Sequence, residues 1–417
     1  MSTDMKSSTE QEHTTGTTTI LVADAFDAQG LKTLQALGHE VISEPGLTAN
    51  TLAEAITQHS PEILVVRSTK VNQEAILASP SLELIVRAGA GTDNVDVEVA
   101  SARGVFVSNC PGRNSVAVAE LAWGLILSCD RRIPDQVADL RAGTWKKKDY
   151  AKAAGIHGKT LGIIGLGRIG QEIAHRGRAF GMNVVAWSRS LDQAKADAMN
   201  VEYCESLLNL MKMSDVVTVN ISANSETEGL INAECITAMK PGSTLINTSR
   251  GSVIDQEALA HAIDDSGIRA GLDVFANEPA AGDNAFTDDI VQKPCVYGTH
   301  HVGASTEQAQ KAIADKTVEI IRTHLESGET INCVNLARET GTTILTVRHL
   351  NTPGVLAHVF DCIGESEINV EEMENIIYRG GEAACAKIRL STSPSHGQLE
   401  NIRANEHILT ASITPII

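Results

Sequence analysis

The chain is short of positive charge. Its 417 residues carry 34 Lys and Arg against 52 Asp and Glu, for a formal net charge of -18. Such a field repels nucleic-acid backbones and anionic lipid, so neither nucleic acid nor a membrane surface is an expected partner. A small anionic substrate would need a local cluster of cations. Apolar runs long enough to span a bilayer are also missing. Residues 1–18 lack the apolar stretch of a signal peptide; they read as a flexible tail, and the expected location is cytoplasmic. The eight cysteines, Cys110, Cys129, Cys204, Cys235, Cys295, Cys333, Cys362 and Cys385, contain no CxxC pair. Zinc and redox spacings are therefore absent, no metal site is expected, and buried reduced thiols are the simplest reading. The remainder is globular in composition, 42% hydrophobic and 21% charged, and long enough for two or three domains.

The stretch GKTLGIIGLGRIGQEIAHRGRAFGMNVVAW, residues 158–187, organises the middle of the chain. An apolar run Leu161–Ile164 leads into Gly165-Leu166-Gly167-Arg168-Ile169-Gly170, a helical pattern follows, and a second apolar run ends at Trp187. A GxGxxG turn between a strand and a helix is a dinucleotide fingerprint. Gly165 makes the tight turn, Gly167 admits a pyrophosphate close to the backbone, and Gly170 lets helix and strand pack. The helix start offers unpaired N–H groups to an anion.

Strands and helices alternate on both sides of this unit, so parallel sheets covered on both faces are expected. In the first part, strands are expected at Thr19–Asp24, Ile63–Val66 and Leu82–Val86. Their ends carry Arg67-Ser68-Thr69-Lys70 and Arg87-Ala88-Gly89-Ala90, and strand ends are where open α/β sheets bind ligands. Arg67, Lys70 and Arg87 could hold an anionic substrate or form a solvated basic rim, and only for Lys70 are the two readings even. Asn114–Ser128 is apolar on nearly every face and is expected as a buried helix crossing between units. Residues 131–153, mixed and basic, are expected over the cleft or a subunit interface. Ser305, with Gln308 three residues on, reads as a capping box opening a long helix back to the first unit.

Three polar residues follow successive strands of the dinucleotide-binding part: Arg250, Glu278 and His301. An arginine fork can clamp a carboxylate and polarise the carbonyl beside it. A histidine can exchange a hydroxyl proton, and a carboxylate behind it orients the ring. Together they suit hydride transfer between a nicotinamide and a 2-hydroxy acid, although each alone could be an ordinary surface or turn residue. His300 and His301, if extended, face opposite ways, so only one enters the cleft.

The sequence from residue 342 changes character and reads as βαββαβ, a ferredoxin-like module. The fold class expected is thus α/β: two doubly wound parallel-sheet (Rossmann/flavodoxin-like) domains and a C-terminal ferredoxin-like domain. The expected bounds are 1–18 tail, 19–115 with 310–335 substrate-binding, 116–309 dinucleotide-binding and 342–417 C-terminal.

GLGRIG, NTSRGSVIDQEAL (247–259), LDVFANEP (272–279) and HHVGAST (300–306) together resemble the D-2-hydroxyacid dehydrogenases. VRSTKV (66–71), RAGAGTDNVD (87–96) and the C-terminal module narrow the likeness to the phosphoglycerate dehydrogenases within that family. The resemblance implies NAD(P)-dependent oxidation of 3-phospho-D-glycerate to 3-phosphohydroxypyruvate, the opening step of L-serine biosynthesis. It makes Arg250, Glu278 and His301 catalytic. It places a carboxylate on the Ala88, Gly89 and Ala90 backbone with Arg87 beside it, and a phosphate on Arg67 with Ser68. It assigns cofactor contacts to Arg168, Ile169, Ser188, Arg189, Asn220, Ser222, Thr248, Ser249, Asp273 and Gly303. RHLNTPGVL and INVEEMEN resemble an ACT domain, whose L-serine effector site at a dimer interface falls on His349, Asn351 and Asn369. Asn351 could instead cap a helix. A homodimer or homotetramer is implied.

The chain departs from the family pattern at three places. The Asp that usually meets the adenosine ribose is Ser188, followed by Arg189, which can accept a 2′-phosphate, so NAD and NADP both remain open. Asn220-Ile221-Ser222 stands where a His-x-Pro is usual, and His300 where a Pro is usual. Two other functions stay open: a hydroxypyruvate or glyoxylate reductase of the same family, and a non-enzymatic dinucleotide-sensing scaffold.

Overall fold

The computed structural model describes residues 17–279, 285–337, 341–365 and 368–416. The expected tail lies, up to residue 16, outside them. The chain divides into two compact units, residues 1–335 and 336–417.

The first unit holds two sheets. One has β1 (Thr19–Val22), β2 (Glu40–Ser43), β3 (Ile63–Val66), β4 (Leu84–Arg87) and β5 (Phe106–Asn109), in the order β2-β1-β3-β4-β5. Every pairing is parallel. Its central strands are continuous apolar runs because both faces are covered, which a parallel sheet requires. Leu21, Leu64, Val66, Ile85 and Val107 pack with Leu52, Ile56 and Ile76 on one side. Ile20, Val22, Ile63, Val65, Leu84 and Val86 pack on the other, against Leu34 and against Ile313, Val318, Ile320 and Ile321. Those last four lie on the Glu307–Ser327 helix, so that helix does return to the first sheet. Its N-cap is Thr306, whose hydroxyl accepts from the Ala309 N–H at 3.1 Å, one residue beyond the expected Ser305. The sequence offers two hydroxyls in succession, and the later one has the backbone geometry of the cap.

The second sheet has β6 (Thr160–Ile164), β7 (Asn183–Trp187), β8 (Glu202–Tyr203), β9 (Val216–Val219), β10 (Thr244–Asn247), β11 (Arg269–Leu272) and β12 (Val296–Gly298). Its order is β12-β11-β10-β9-β6-β7-β8, again parallel throughout. The order reverses between β6 and β9, which opens a crevice at the carboxyl ends of those strands. The buried helix expected near 114–128 spans Ser115–Arg131. Its Leu125 and Ile126 pack against Ile246 and Leu161 of this sheet. Residues 131–153 form two short surface helices, Ile133–Arg141 and Lys147–Tyr150, neither with a buried residue. Among the described residues no helix is long and apolar enough to cross a membrane.

The second unit runs β13 (Thr343–Leu350), a helix Val355–Gly364, β14 (Val370–Ile377), β15 (Ala383–Leu390), a helix His396–Arg403 and β16 (Ile408–Pro415). The antiparallel order β14-β15-β13-β16 is the expected βαββαβ module. Leu345, Val347, Ala386 and Ile388 bury one sheet face against Val359, Ile363, Leu399 and Ile402 of the two helices. Asn351 does not cap the first helix, whose N-cap is Gly354 at φ +90°; its amide donates to the Gly381 carbonyl at 3.0 Å in the β14–β15 turn.

Candidate active site

The glycine turn sits at the mouth of the crevice. Gly165 has φ +88°, and a Cβ there would lie 2.6 Å from the Asn220 carbonyl oxygen, so neither the conformation nor the space admits a side chain. A Cβ on Gly170 would lie 2.2 Å from the Gly165 carbonyl oxygen, which is how closely helix and turn pack. Around Gly167 there is open space, and as N-cap of the Arg168–Ala179 helix it supplies no side-chain acceptor. Across the crevice the buried Thr248 hydroxyl has no protein partner. A roomy turn, uncapped helix N–H groups and an orphaned hydroxyl fit a dinucleotide with a pyrophosphate. Ile169 packs on the sheet core and Arg168 donates to the Pro111 carbonyl. Ser249 closes its own turn through Asn247, at 2.8 Å between the hydroxyl and Oδ1. Asn220 donates to the Thr218 carbonyl at 3.2 Å, and the Ser222 carbonyl accepts from the Thr227 hydroxyl at 2.6 Å. Arg189 forms an exposed ion pair with Glu226, from the loop after β9.

The three strand-end residues converge. His301 Nδ1 lies 2.7 Å from Glu278 Oε2, and Glu278 Oε1 accepts from the Phe275 N–H at 3.1 Å. Burial alone would push the Glu278 carboxyl up, but the His301 bond and charge, the Phe275 N–H and the nearby Arg250 hold it below its ordinary value. The ring is aimed by the backbone: His301 has φ +53°, so the expected extended His300-His301 segment is instead a left-handed turn. That turn is tied to the buried Asp273. Its Oδ1 accepts from the Thr299 hydroxyl at 2.6 Å and the Val302 N–H at 2.9 Å, and its Oδ2 from the Gly303 N–H at 2.9 Å.

Arg250 is held from the opposite sheet. Its Nε and Nη2 donate to Asp93 at 3.1 and 2.9 Å, a bidentate pair, while Nη1 donates to the Ser249 carbonyl at 2.7 Å. Burial would raise the Asp93 carboxyl, yet the Arg250 bond and charge keep it lowered. Asp93 was not among the residues the motifs single out. Its signal was there, a carboxylate in the loop after β4, but its partner is 157 residues away.

Arg87 is partly buried, its Nε enclosed and without a protein partner. Burial, then the charges of Arg250 and Arg67, lower its pKa from the ordinary arginine value. Three guanidiniums therefore share this edge of the cleft, with Asp93 between. In the adjoining loop the Ala88 N–H donates to the Val66 carbonyl and the Gly89 N–H to the Arg87 carbonyl, both at 2.7 Å. The Ala90 carbonyl accepts from the Asn109 amide at 2.6 Å. Arg67 reaches the Ser305 hydroxyl at 3.3 Å, and the Ser68 hydroxyl donates to Asp24 at 2.9 Å.

In the second unit, His349 is buried, with Nδ1 2.8 Å from the Leu350 carbonyl and Nε2 3.3 Å from Asn375 Oδ1. His349 pairs with Ala384 and Val370 with Leu390, so His349 and Asn351 lie at one end of the sheet and Asn369 at the other. One copy of the module does not bring the three together.

A fold of this order, with a glycine turn at its switch point and a histidine–carboxylate pair and an arginine beyond the neighbouring strands, is that of a dinucleotide-dependent dehydrogenase of small acids. Residues 123–303 match the family model of the D-isomer specific 2-hydroxyacid dehydrogenase NAD binding domain. The hydroxypyruvate reductase of Thermotoga maritima is 39% identical over 307 residues, which cover 72% of this chain and 96% of that protein. The D-3-phosphoglycerate dehydrogenase of Methanocaldococcus jannaschii is 40% identical over 319 residues, 76% of this chain and 59% of that protein. The chain thus spans somewhat under three-fifths of the length of the curated phosphoglycerate dehydrogenases it matches first. Among solved structures, the NADPH-dependent glyoxylate/hydroxypyruvate reductase of Sinorhizobium meliloti, in complex with NADP and malonate, has a TM-score of 0.66 at 28% identity, covering 78% of this chain and 100% of its own. The chain belongs to the D-isomer specific 2-hydroxyacid dehydrogenases.

Proposed function

We propose that this dehydrogenase oxidises 3-phospho-D-glycerate to 3-phosphohydroxypyruvate with NAD(P), opening L-serine biosynthesis. The observation that carries the reading is the position of Arg87 within reach of the charges of both Arg250 and Arg67. A 2-hydroxy acid needs one cation for its carboxylate, and the further cations suit a second anionic group on the same substrate. Glu278 holds His301 by Nδ1, which leaves Nε2 to take the substrate hydroxyl proton in oxidation and return it in reduction. Glu278, ionised, favours the imidazolium that forms. Arg250 polarises the carbonyl oxygen and orients the carboxylate. Gly165, Gly167 and the Arg168–Ala179 helix start would hold the pyrophosphate, and Thr248 would donate to or accept from the cofactor. When bound, the nicotinamide supplies the hydride acceptor.

Hydroxypyruvate reduction is the second reading, favoured by the near full-length match to the Thermotoga maritima reductase. Following nicotinamide absorbance with phosphohydroxypyruvate, hydroxypyruvate and glyoxylate separates the two. The proposal expects the phosphorylated acid to give the highest kcat/KM; hydroxypyruvate outperforming it reverses the choice, and no turnover with any points to a non-enzymatic sensor.

On the cofactor, we infer a preference for NAD(H) set by Glu226. Arg189 could accept a 2′-phosphate, but Glu226 already sets a carboxylate against it. Glu226→Gln is expected to raise the NADPH-to-NADH ratio of kcat/KM about 2- to 5-fold, the modest size that an exposed pair permits. An unchanged ratio, with unchanged NADPH binding by fluorescence titration, removes Glu226 from the account.

The serine effector follows the same logic of distance. His349, on β13, and Asn369, just before β14, lie beside opposite ends of β15, roughly 20 Å apart at the usual rise per residue, so a ligand touching both would sit between two copies. Millimolar L-serine is expected to slow turnover and give a calorimetric binding signal that His349→Ala abolishes; unchanged rates and no heat would end the proposal.

A further inference from the structure

Asp24 lies two residues beyond the end of β1, next to the end of β3, where the Arg67-Ser68-Thr69 loop begins. The N–H groups of all three loop residues converge on its Oδ2, at 2.7 Å from Arg67, 3.2 Å from Ser68 and 3.1 Å from Thr69. The Ser68 hydroxyl donates to Oδ1. Successive backbone N–H groups turned toward one point are a natural anion cradle. Here the chain fills that cradle with its own carboxylate. Burial would push the Asp24 carboxyl up, but the bonds from the Arg67 and Thr69 backbones and the Ser68 hydroxyl bring it below its ordinary value, so it stays charged. An incoming phosphate is therefore not offered the backbone of this loop. It is offered the guanidinium at the loop's start.

The rest of the loop is pinned. The Thr69 hydroxyl donates to the Leu47 carbonyl at 3.1 Å, and the Asn94 amide donates to the Thr69 carbonyl at 2.8 Å. The Arg67 side chain instead extends to the Ser305 hydroxyl, at the start of the Glu307–Ser327 helix.

We propose that Asp24 is the positioning residue for the distal anion of the substrate: by locking the backbone of residues 67–69 it fixes where the Arg67 guanidinium stands, and so sets the preference for a phosphorylated over an unphosphorylated 2-oxo acid. This rests on the reading of the cleft as a phospho-acid site. A merely structural Asp24 would affect both kinds of substrate alike.

The experiment measures KM and kcat for phosphohydroxypyruvate and hydroxypyruvate in the wild type, Asp24→Asn and Asp24→Glu. Asp24→Asn keeps the size but gives up the charge that receives three N–H bonds. KM for the phosphorylated acid is expected to rise about 10-fold, while kcat and the hydroxypyruvate KM stay within about twofold. Asp24→Glu keeps the charge, displaces the acceptor by one methylene, and is expected to give a smaller rise of the same kind, about threefold; it carries the test if the Asn variant does not fold. In an Arg67→Ala background, Asp24→Asn should add nothing further to the loss of preference. Equal shifts for both substrates, or none, overturn the proposal. A wild type that shows no preference for the phosphorylated acid overturns the substrate reading itself, and the inference falls with it, whereas a wild-type preference that survives Asp24→Asn overturns the inference alone.

Discussion

His301→Ala is expected to lower kcat by about 100- to 10,000-fold, the usual worth of a positioned acid/base, while the KM for the coenzyme changes little. The expectation follows from the division of labour around the ring. Glu278 takes Nδ1, the φ +53° turn points the ring, and Asp273 holds that turn through three hydrogen bonds. Removing the ring leaves all of this support in place, so the loss falls on the proton transfer. Pre-steady-state and steady-state rates should fall together, because chemistry becomes limiting. A His301→Ala enzyme within tenfold of wild type would move the acid/base elsewhere. Cys110→Ala is the matched control: its thiol is buried against the Thr317 hydroxyl at 3.4 Å, and turnover should persist. Glu278→Gln adds a stability readout. A carboxyl held below its ordinary value contributes stability that is present above the ordinary glutamate range and is lost as pH falls through the depressed value. The variant should therefore be less stable than wild type at neutral pH, and the two should converge in acid.

What could be read in advance, and what could not, divides along chain distance. Continuous apolar runs such as Ile63–Val66 and Leu161–Ile164 announce strands buried on both faces, and they are so buried. Each member of the trio stands just past a strand, a local signal, and the parallel order of β10, β11 and β12 then brings the loops together. Strands β2 and β5 were not anticipated. Both are sheet edges with polar residues in their four positions, Glu40 and Ser43 in one, Ser108 and Asn109 in the other, so the apolar run that marks a buried strand is interrupted. Asp93 and Asp24 escaped for a different reason. Each acts on an arginine or a loop far along the chain, and a lone Asp at the end of an expected strand, as Asp24, or past one, as Asp93, looks like any turn residue. The His301 backbone likewise takes its left-handed turn from Asp273, a partner that only the folded sheet supplies.

Arg250→Ala is expected to reduce kcat/KM for the 2-oxo acid about 1,000-fold, since in the proposed mechanism one group both clamps the carboxylate and stabilises the developing alkoxide. Lysine should not restore it. The Arg250 fork spends Nε and Nη2 on Asp93 and directs Nη1 from the Ser249 side, and a single ammonium cannot hold that anchor and still face the substrate in a plane. Asp93→Asn retains one acceptor and should lose about tenfold in kcat/KM, with the coenzyme KM unmoved. Added guanidinium should restore part of the Arg250→Ala activity, because Asp93 is left as a ready anion beside an arginine-shaped space, and should do so far less when Asp93 is also replaced. That dependence is the informative outcome. Rescue indifferent to Asp93 would mean that the pair seen across the two sheets is a surface contact, and that the substrate alone orients Arg250. Rescue that needs Asp93 would mean that the substrate lobe builds part of the catalytic arginine's geometry itself, so that the two sheets of the first unit share one site and neither holds it alone.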